Sequence, residues 1–277
     1  MARLLFWNVQ KHASADIIAQ IASSNHADVI ALAEAGHLED AVLTRSLWTH
    51  SQQTFRRAVG AFRIRVYSSL PEDYIQVRAD ANGLVLISLR QVFAPDLLIA
   101  FAHLPSKMTT DFLGLATLAT RLRAAIEDAE NIVRHSRTII MGDLNMEPHE
   151  VGLLSSEALH ATMCMRIARG RSRTVHGEER RFFYNPMWNL LGDQTRGPPG
   201  TYYRSTNDPD AQFWHMIDQV LLRPDVIDLV DIDSLAIITR SDEVALARRN
   251  GRPNSRHSDH FPIFIETRDQ PEQRERS

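Results

Sequence analysis

The chain has 277 residues, 44% of them hydrophobic and 23% charged, with one cysteine and a formal net charge of −3. A chain of this length buries roughly three quarters of its unfolded surface without staples. The lone Cys164 makes no internal disulfide, which excludes a disulfide-dense secreted scaffold.

Short apolar, β-branched runs with turn-rich flanks predict strands at residues 4–9, 29–32, 61–67, 84–89, 97–102, 138–141, 217–222, 235–239 and 261–265. Helical periodicity appears at 14–24 and most clearly at 111–134. There Leu113, Leu115, Leu118, Leu122, Ala125 and Ile126 form one stripe, with Arg121, Glu127 and Glu130 off it. Many strands with few helices predict an α/β (α+β) domain over residues 1–267, in which packed sheets are covered by helices. Residues 268–277 are wholly polar and read as a frayed tail. Two segments break the pattern. Residues 163–203 are rich in Arg, Gly, Pro and aromatics, and 241–258 are polar and basic; both read as long loops. The apolar start is too short for a secretory leader, and no window approaches the roughly 20 apolar residues of a membrane span, so a cytoplasmic protein with no membrane span is expected.

Polar residues recur at the C-terminal ends of the strand-like runs, in Trp7-Asn8-Val9-Gln10, Leu32-Ala33-Glu34, Ala102-His103-Leu104 and Gly142-Asp143-Leu144-Asn145, and a late run contains Ile217-Asp218. The last lies just before Ser258-Asp259-His260 in this series. Strand ends that meet at one rim of a sheet bring distant residues into a shared cleft. Glu34 is a hard oxygen ligand of the kind Mg²⁺ or Mn²⁺ prefers. Asp143 and Asn145 lie two apart, so on an extended backbone both project to one side, where one accepts a proton from water and the other donates to a phosphate oxygen. Asp259 beside His260 offers a metal ligand and an imidazole, with Asp218 available to fix the tautomer and favour the protonated form. Taken singly, each element has a plainer reading. Glu34 reads as a solvated strand end or helix cap, Gly142-Asp143-Leu144-Asn145 as a turn, His103 as a packed histidine, and Ser258-Asp259-His260 as a capped loop. Their joint order is the specific signal.

In that order and spacing, Trp7-Asn8-Val9, Val29-Ile30-Ala31-Leu32-Ala33-Glu34, His103-Leu104, Gly142-Asp143-Leu144-Asn145, Ile217-Asp218-Gln219-Val220-Leu221 and Ser258-Asp259-His260 resemble the endonuclease/exonuclease/phosphatase superfamily, the deoxyribonuclease-I-like fold. The resemblance spans residues 7 to 260 and implies a four-layer sandwich of two packed mixed β-sheets flanked by helices, with a divalent-metal phosphoesterase site at one rim. It implies Glu34 as principal metal ligand with Asn8 and Asp259 beside it, and Asp143 as the residue that positions or deprotonates water. It further implies Asn145 and His103 on phosphate, and Asp218 with His260 as the Asp–His pair. Two positions depart from the pattern. Gln10 stands where abasic-site nucleases carry Asp, and Ala33 where Gln commonly precedes the Glu, which weakens a specific assignment to abasic-site repair.

Residues 161–204 hold eight Arg against three acidic residues, and residues 240–256 hold five against two, so these segments carry +8 and the rest of the chain −11. Only Lys11 and Lys107 are lysine. Arg-rich loops beside a phosphoesterase mouth attract a polyanion, and interleaved aromatics such as Phe182, Phe183, Tyr184, Trp188, Tyr202 and Tyr203 stack on bases. Arg171, Arg173, Tyr203 and Arg252 are the candidate substrate contacts. The competing reading anchors these rings in the sandwich and pairs the Arg with Glu and Asp inside the protein. The sequence therefore predicts a Mg²⁺- or Mn²⁺-dependent phosphodiesterase acting on nucleic acid as a nuclease. The alternatives are a phosphatase or phosphodiesterase on a small phosphoester (nucleotide, inositol phosphate or lipid head group), and a non-catalytic polyanion-binding protein on the same fold.

Overall fold

The computed structural model describes residues 1–60, 63–81, 83–91, 95–195, 197–204, 211–242 and 244–268. In chain order, β1 is Arg3–Asn8, α1 Ala15–Ser24, β2 Val29–Ala33, α2 Asp40–Ser51, β3 Arg56–Val59, β4 Ile64–Ser68, β5 Ile75–Ala81, β6 Leu84–Leu89, β7 Leu97–His103, α3 Phe112–Val133 and β8 Thr138–Asp143. There follow α4 Val151–Leu154, β9 Ala161–Thr162, α5 Met165–Ala168, β10 Ser172–Val175, β11 Glu178–Arg181, β12 Phe183–Tyr184, β13 Tyr202–Tyr203, β14 Trp214–His215, β15 Asp218–Leu222, β16 Val230–Ile237 and β17 Ile263–Thr267. One mixed sheet runs β16-β17-β1-β2-β4-β3 and the other β5-β6-β7-β8-β15-β12-β9. The pairs β1/β2 and β7/β8 are parallel, and their neighbours are antiparallel.

The layering follows from the two-residue period of the strands. Leu4 and Phe6 of β1, Val29 and Ala31 of β2, Ile99 and Phe101 of β7, Ile139 and Met141 of β8 and Val220 of β15 fill the space between the sheets. The alternate residues face outward. Leu5, Trp7, Ile30 and Leu32 pack on Ile18, Ile21, Leu43 and Leu47 of α1 and α2, while Leu98, Ala100, Ile140 and Leu221 pack on Leu115, Leu122 and Ile126 of α3. This gives four layers, helix–sheet–sheet–helix. Helices α1 and α3 begin at side-chain caps: Ser14 accepts from the Ile17 N–H and Asp111 from the Gly114 N–H.

The irregular segment of the sequence reading is more ordered than expected. Residues 163–203 contain α5, the hairpin β10–β11 (Ser172 opposite Arg181), β12 and a 3₁₀ turn at Pro186–Leu190. Within the predicted strand at 61–67, residues 61 and 62 lie outside the described residues. So do Arg196 of the first basic segment, Glu243 of the second, and 269–277 of the predicted tail. Arg268 is described and its N–H donates to the Leu229 carbonyl. No helix among the described residues is long and apolar enough to cross a membrane.

Candidate active site

The same two-residue period that fills the core places the polar strand ends. Asn8 continues the side of Leu4 and Phe6, His103 that of Ile99 and Phe101, Asp143 that of Ile139 and Met141, and Asp218 that of Val220. In register, His103 lies opposite Asp143, Asp143 opposite Asp218, and Asn8 opposite Ala33, the residue before Glu34. Each strand leaves the core face on a polar residue, so the gap between the sheets opens at one rim as a cleft of about 640 Å³. Asn8, Glu34, His103, Asp143, Asn145, Asp259 and His260 all line it.

The last motif is tied to the first through backbone and side chain. The Trp7 indole N–H donates to the His260 carbonyl (3.0 Å), the Ser258 hydroxyl donates to the Asn8 carbonyl (2.7 Å), and the His260 N–H donates to Ser258 Oγ (3.0 Å). Trp7-Asn8-Val9 and Ser258-Asp259-His260 therefore hold each other in place across about the whole length of the chain. Backbone strain gathers at the same rim. Gln10, Lys11, Glu34 and Asn145 line the cleft with φ of +45°, +59°, +54° and +51°, a conformation that non-glycine residues adopt at a cost of about 1–3 kcal/mol and that clusters at functional sites. The Asp143–Asn145 pair is thus not extended, as the spacing argument supposed. Asp143 Oδ1 accepts from the Asn145 N–H (3.0 Å), forming a local turn, and Asn145 Nδ2 donates to the Leu104 carbonyl (2.8 Å).

The acidic groups stand in different hydrogen-bonding states. Asp143 Oδ2 accepts from Asn8 Nδ2 (3.0 Å) and lies 3.9 Å from His103 Nε2 and 4.0 Å from His260 Nε2. Asp218 Oδ2 meets His260 Nδ1 at 2.8 Å, while its Oδ1 is buried with no partner among the described residues. Asp259 Oδ2 accepts from Gln10 Nε2 (2.8 Å), while its Oδ1, 3.7 Å from His260 Nε2, is likewise buried without a hydrogen bond. Glu34 Oε1 is 3.7 Å from His103 Nε2. Asp143, Asp218 and His260 offer ligand atoms that all lie within 4.8 Å of one another.

Burial and mutual charge set the protonation states. Burial, then the charge of Asp218, raises the Asp143 carboxyl well above the usual carboxylate range. Burial also raises Asp259. Burial alone would lower His260, but the hydrogen-bonded Asp218 carboxylate together with Asp143 and Asp259 outweighs it and lifts the imidazole to about 10. His103 is pushed down to about 4, chiefly by burial, and is neutral near pH 7.

The profile of the Endonuclease/Exonuclease/phosphatase family matches residues 5–260, nearly the whole chain and every motif of this cleft. The chain belongs to that family. Its members are nucleases and phosphatases, hydrolases of phosphoester bonds. An abasic-site (AP) endonuclease from Archaeoglobus fulgidus shares the fold with TM-score 0.57 at 13% identity, over 96% of this chain and 99% of that one. An endonuclease/exonuclease/phosphatase family protein from Leptotrichia buccalis does so with TM-score 0.54 at 16% identity, over 96% and 99%. The 3′ phosphatase NExo from Neisseria, solved with a product DNA hairpin, does so with TM-score 0.53 at 13% identity, over 96% and 99%. No curated protein matches.

None of the four candidate substrate contacts, Arg171, Arg173, Tyr203 and Arg252, lines the cleft. Arg171 pairs with Asp225, which accepts from the Ser136 hydroxyl (2.6 Å). Ser136 precedes β8, whereas Asp143 ends it. Arg173 Nε donates to His160 Nε2 (3.0 Å) on the β10–β11 side. Tyr203 points to the face of the β13–β14 ribbon away from the cleft, edge-on to Trp214 (5.1 Å), and Arg252 stacks on it there at 4.1 Å. The physical reason for the last pair is parity: the cleft receives Tyr202 and Arg204, one residue to either side of Tyr203. Phe182, Phe183 and Tyr184 are buried, and Arg169, Arg180 and Arg181 pair with Asp228, Glu157 and Glu130.

Other residues line the cleft that the sequence reading did not place there: Gln10, Lys11, Arg63, Lys107, Tyr202, Arg204 and His215. Both lysines of the chain are among them, and their rarity was visible in the composition. Gln10 belongs to the first motif, and Tyr202 and Arg204 to the first basic segment, whereas Arg63 carried no local signal. Lys107 pairs with Glu150, whereas Lys11, Arg63 and Arg204 have no carboxylate partner among the described residues.

Proposed function

We propose that the chain is a divalent-metal-dependent phosphodiesterase that cuts nucleic acid as a nuclease. The observation that carries this reading is the pairing of opposites in one cleft. An acidic floor with unpartnered buried oxygens faces Lys11, Arg63 and Arg204, cations that no carboxylate neutralises among the described residues. The similar proteins solved with DNA or named for abasic sites support the choice of substrate.

The donor set fits a hard cation. Glu34 and Asp259, with the remaining lone pair of the Asn8 amide oxygen, would hold Mg²⁺ or Mn²⁺; of the two buried unpartnered oxygens, Asp259 Oδ1 belongs to a residue that lines the cleft. Bound there, such an ion supplies positive charge to the scissile phosphate. Asp218 is spent on His260, and Asp143 on Asn8 and Asn145.

Asp143, steadied by the Asn8 amide and the Asn145 N–H, takes a proton from water as its oxygen bonds to phosphorus. A carboxylate raised toward neutrality by burial suits that task better than an ordinary one. His260, its Nδ1 fixed by Asp218, presents a protonated Nε2 to the charge that builds on the phosphate as the bond to the leaving oxygen breaks. Neutral His103 and the second N–H of the Asn145 side-chain amide donate to the same oxygens.

A smaller phosphoester is the second reading. The cleft volume lies in the range of about 300–1,000 Å³ typical of small-molecule pockets, and four of the eight arginines of the first basic segment pair with carboxylates within the protein. The deciding experiment incubates the protein with Mg²⁺ or Mn²⁺ and single- and double-stranded DNA, RNA, an abasic duplex, nucleotides and inositol phosphates. Cleavage of nucleic acid is expected, lost with chelator and in Asp143→Ala and His260→Ala. Cleavage confined to the small molecules replaces the nuclease reading with the second one. Binding of polyanions without any metal-dependent turnover replaces both with a binding protein.

A further inference from the structure

A second carboxylate–histidine pair opens on the same cleft. Glu147 is buried, and its Oε1 lies 2.7 Å from His215 Nδ1 while its Oε2 accepts from the Met216 N–H (3.1 Å). With both carboxylate oxygens used and Nδ1 taken, Nε2 is the ring nitrogen left to the cleft that His215 lines. The Asp218–His260 pair has the same pattern, with Nδ1 on a buried carboxylate and the ring facing the cleft. Tyr202 stands between the two imidazoles, 4.8 Å from the His260 ring and 5.7 Å from the His215 ring.

The backbone fixes this arrangement. Tyr202 pairs with His215 across the β13–β14 ribbon and bridges to His260, and the Thr201 N–H donates to the His215 carbonyl (2.8 Å). Gly200 packs so close to the His215 backbone that a Cβ there would overlap it. On the cleft-facing side of the ribbon, Arg204 lies two residues from Tyr202 and has no carboxylate partner among the described residues. An oriented imidazole and a guanidinium with no carboxylate partner among the described residues, on one face of one ribbon, make a site for an anion. The width of a tyrosine ring separates it from His260.

We propose that Glu147, His215 and Arg204 form a second phosphate subsite, which holds a phosphoryl group adjoining the one that is hydrolysed. Glu147 is the positioning residue, and His215 Nε2 and Arg204 make the contacts. The inference rests on the phosphodiesterase reading and narrows its substrates to phosphoesters that carry a neighbouring phosphate.

The test uses the full chain with Mn²⁺ and three dinucleotides: d(TpT), d(pTpT) and d(TpTp). The first has only the internal phosphate; the others add one on either side. Wild type should hydrolyse one of the two phosphorylated forms with kcat/KM about tenfold above that of d(TpT), chiefly through a lower KM, as expected for one added charge-assisted contact. His215→Gln should bring that ratio close to one. Glu147→Gln, which keeps a hydrogen-bonding side chain, should lower it in the same direction with an unchanged melting temperature. Equal kcat/KM on all three substrates in wild type overturns the subsite, as does a preference that His215→Gln leaves intact or an equal loss on all three. Absence of turnover on every substrate instead overturns the phosphodiesterase reading, and the subsite with it.

Discussion

Strands β8 and β15 run antiparallel and carry a buried polar cluster at each end, one closed and one open. At the closed end Arg223 and Glu130 are both almost wholly buried. Glu130 Oε1 accepts from Arg223 Nε (2.8 Å) and Thr138 Oγ1 (2.7 Å), and Oε2 accepts from Arg223 (3.2 Å) and Arg181 (3.0 Å). The Arg223 guanidinium also lies over the Phe183 ring at 4.0 Å. At the open end three carboxylates, Asp143, Asp218 and Asp259, surround one imidazole, and two of their oxygens have no partner among the described residues. Buried polar groups in folded proteins are satisfied as a rule. The closed end follows the rule and stabilises the fold; the open end breaks it, and so is fitted to a ligand.

The comparison is broken most directly from the open end. Asp143→Asn keeps the shape and removes a charge that burial disfavours. Activity should fall about 10²–10⁴-fold, the usual weight of a general base, while the melting temperature holds or rises. A drop in melting temperature instead would make the open end a second structural cluster. At the closed end Arg223→Met leaves Glu130 buried with the Thr138 hydroxyl and one partly exposed cation, Arg181. Urea denaturation should show a loss of about 3–5 kcal/mol, with specific activity per folded molecule unchanged.

The open end was legible in the sequence for a physical reason. A strand that buries alternate residues must continue that alternation to its last residue, so the polar residues ending β1, β7, β8 and β15 had to face the gap between the sheets. Helices α1 and α3 were legible from their apolar stripes, with bounds within a residue of their caps. Helix α2 was not, because only Leu43 and Leu47 are buried along its twelve residues. Edge strand β5 was hidden by its half-exposed residues and a bulge between Val77 and Ala79. The pairing of the basic segment was not legible, because long-range contacts decide it. The partners that neutralise Arg169, Arg171 and Arg181 come from Asp228, Asp225 and Glu130, about 50 or more residues away, and charge counted along the chain does not reveal them. The parity that puts Tyr202 rather than Tyr203 at the cleft is likewise set by the β13–β14 pairing.

Gln10 sharpens the open end further. Its amide donates to Asp259 Oδ2, and an outer hydrogen bond of this kind commonly changes metal affinity about 10–100-fold. Gln10→Ala should raise the Mg²⁺ concentration needed for half-maximal activity by about tenfold, at the lower end of that range because Asp259 is one ligand of several. An unchanged metal requirement would remove Asp259 from the ligand set.

The smallest effects separate the two kinds of arginine. Arg63 lines the cleft with no carboxylate partner among the described residues, whereas Arg171 is two-thirds exposed and paired with Asp225. A single phosphate contact changes binding modestly and with a salt dependence, because it releases about one counterion. Arg63→Ala should therefore raise KM for a nucleic-acid substrate by about three- to tenfold at low salt, and the difference should shrink as salt is added. An exposed ion pair is worth about 0–1 kcal/mol, so Arg171→Ala should leave kcat/KM within about twofold of wild type and barely change stability. If Arg171→Ala instead weakens substrate binding with the steeper salt dependence, the polyanion reaches the β10–β11 side after all, and the division between an open, substrate-facing end and a closed, self-neutralised one no longer holds.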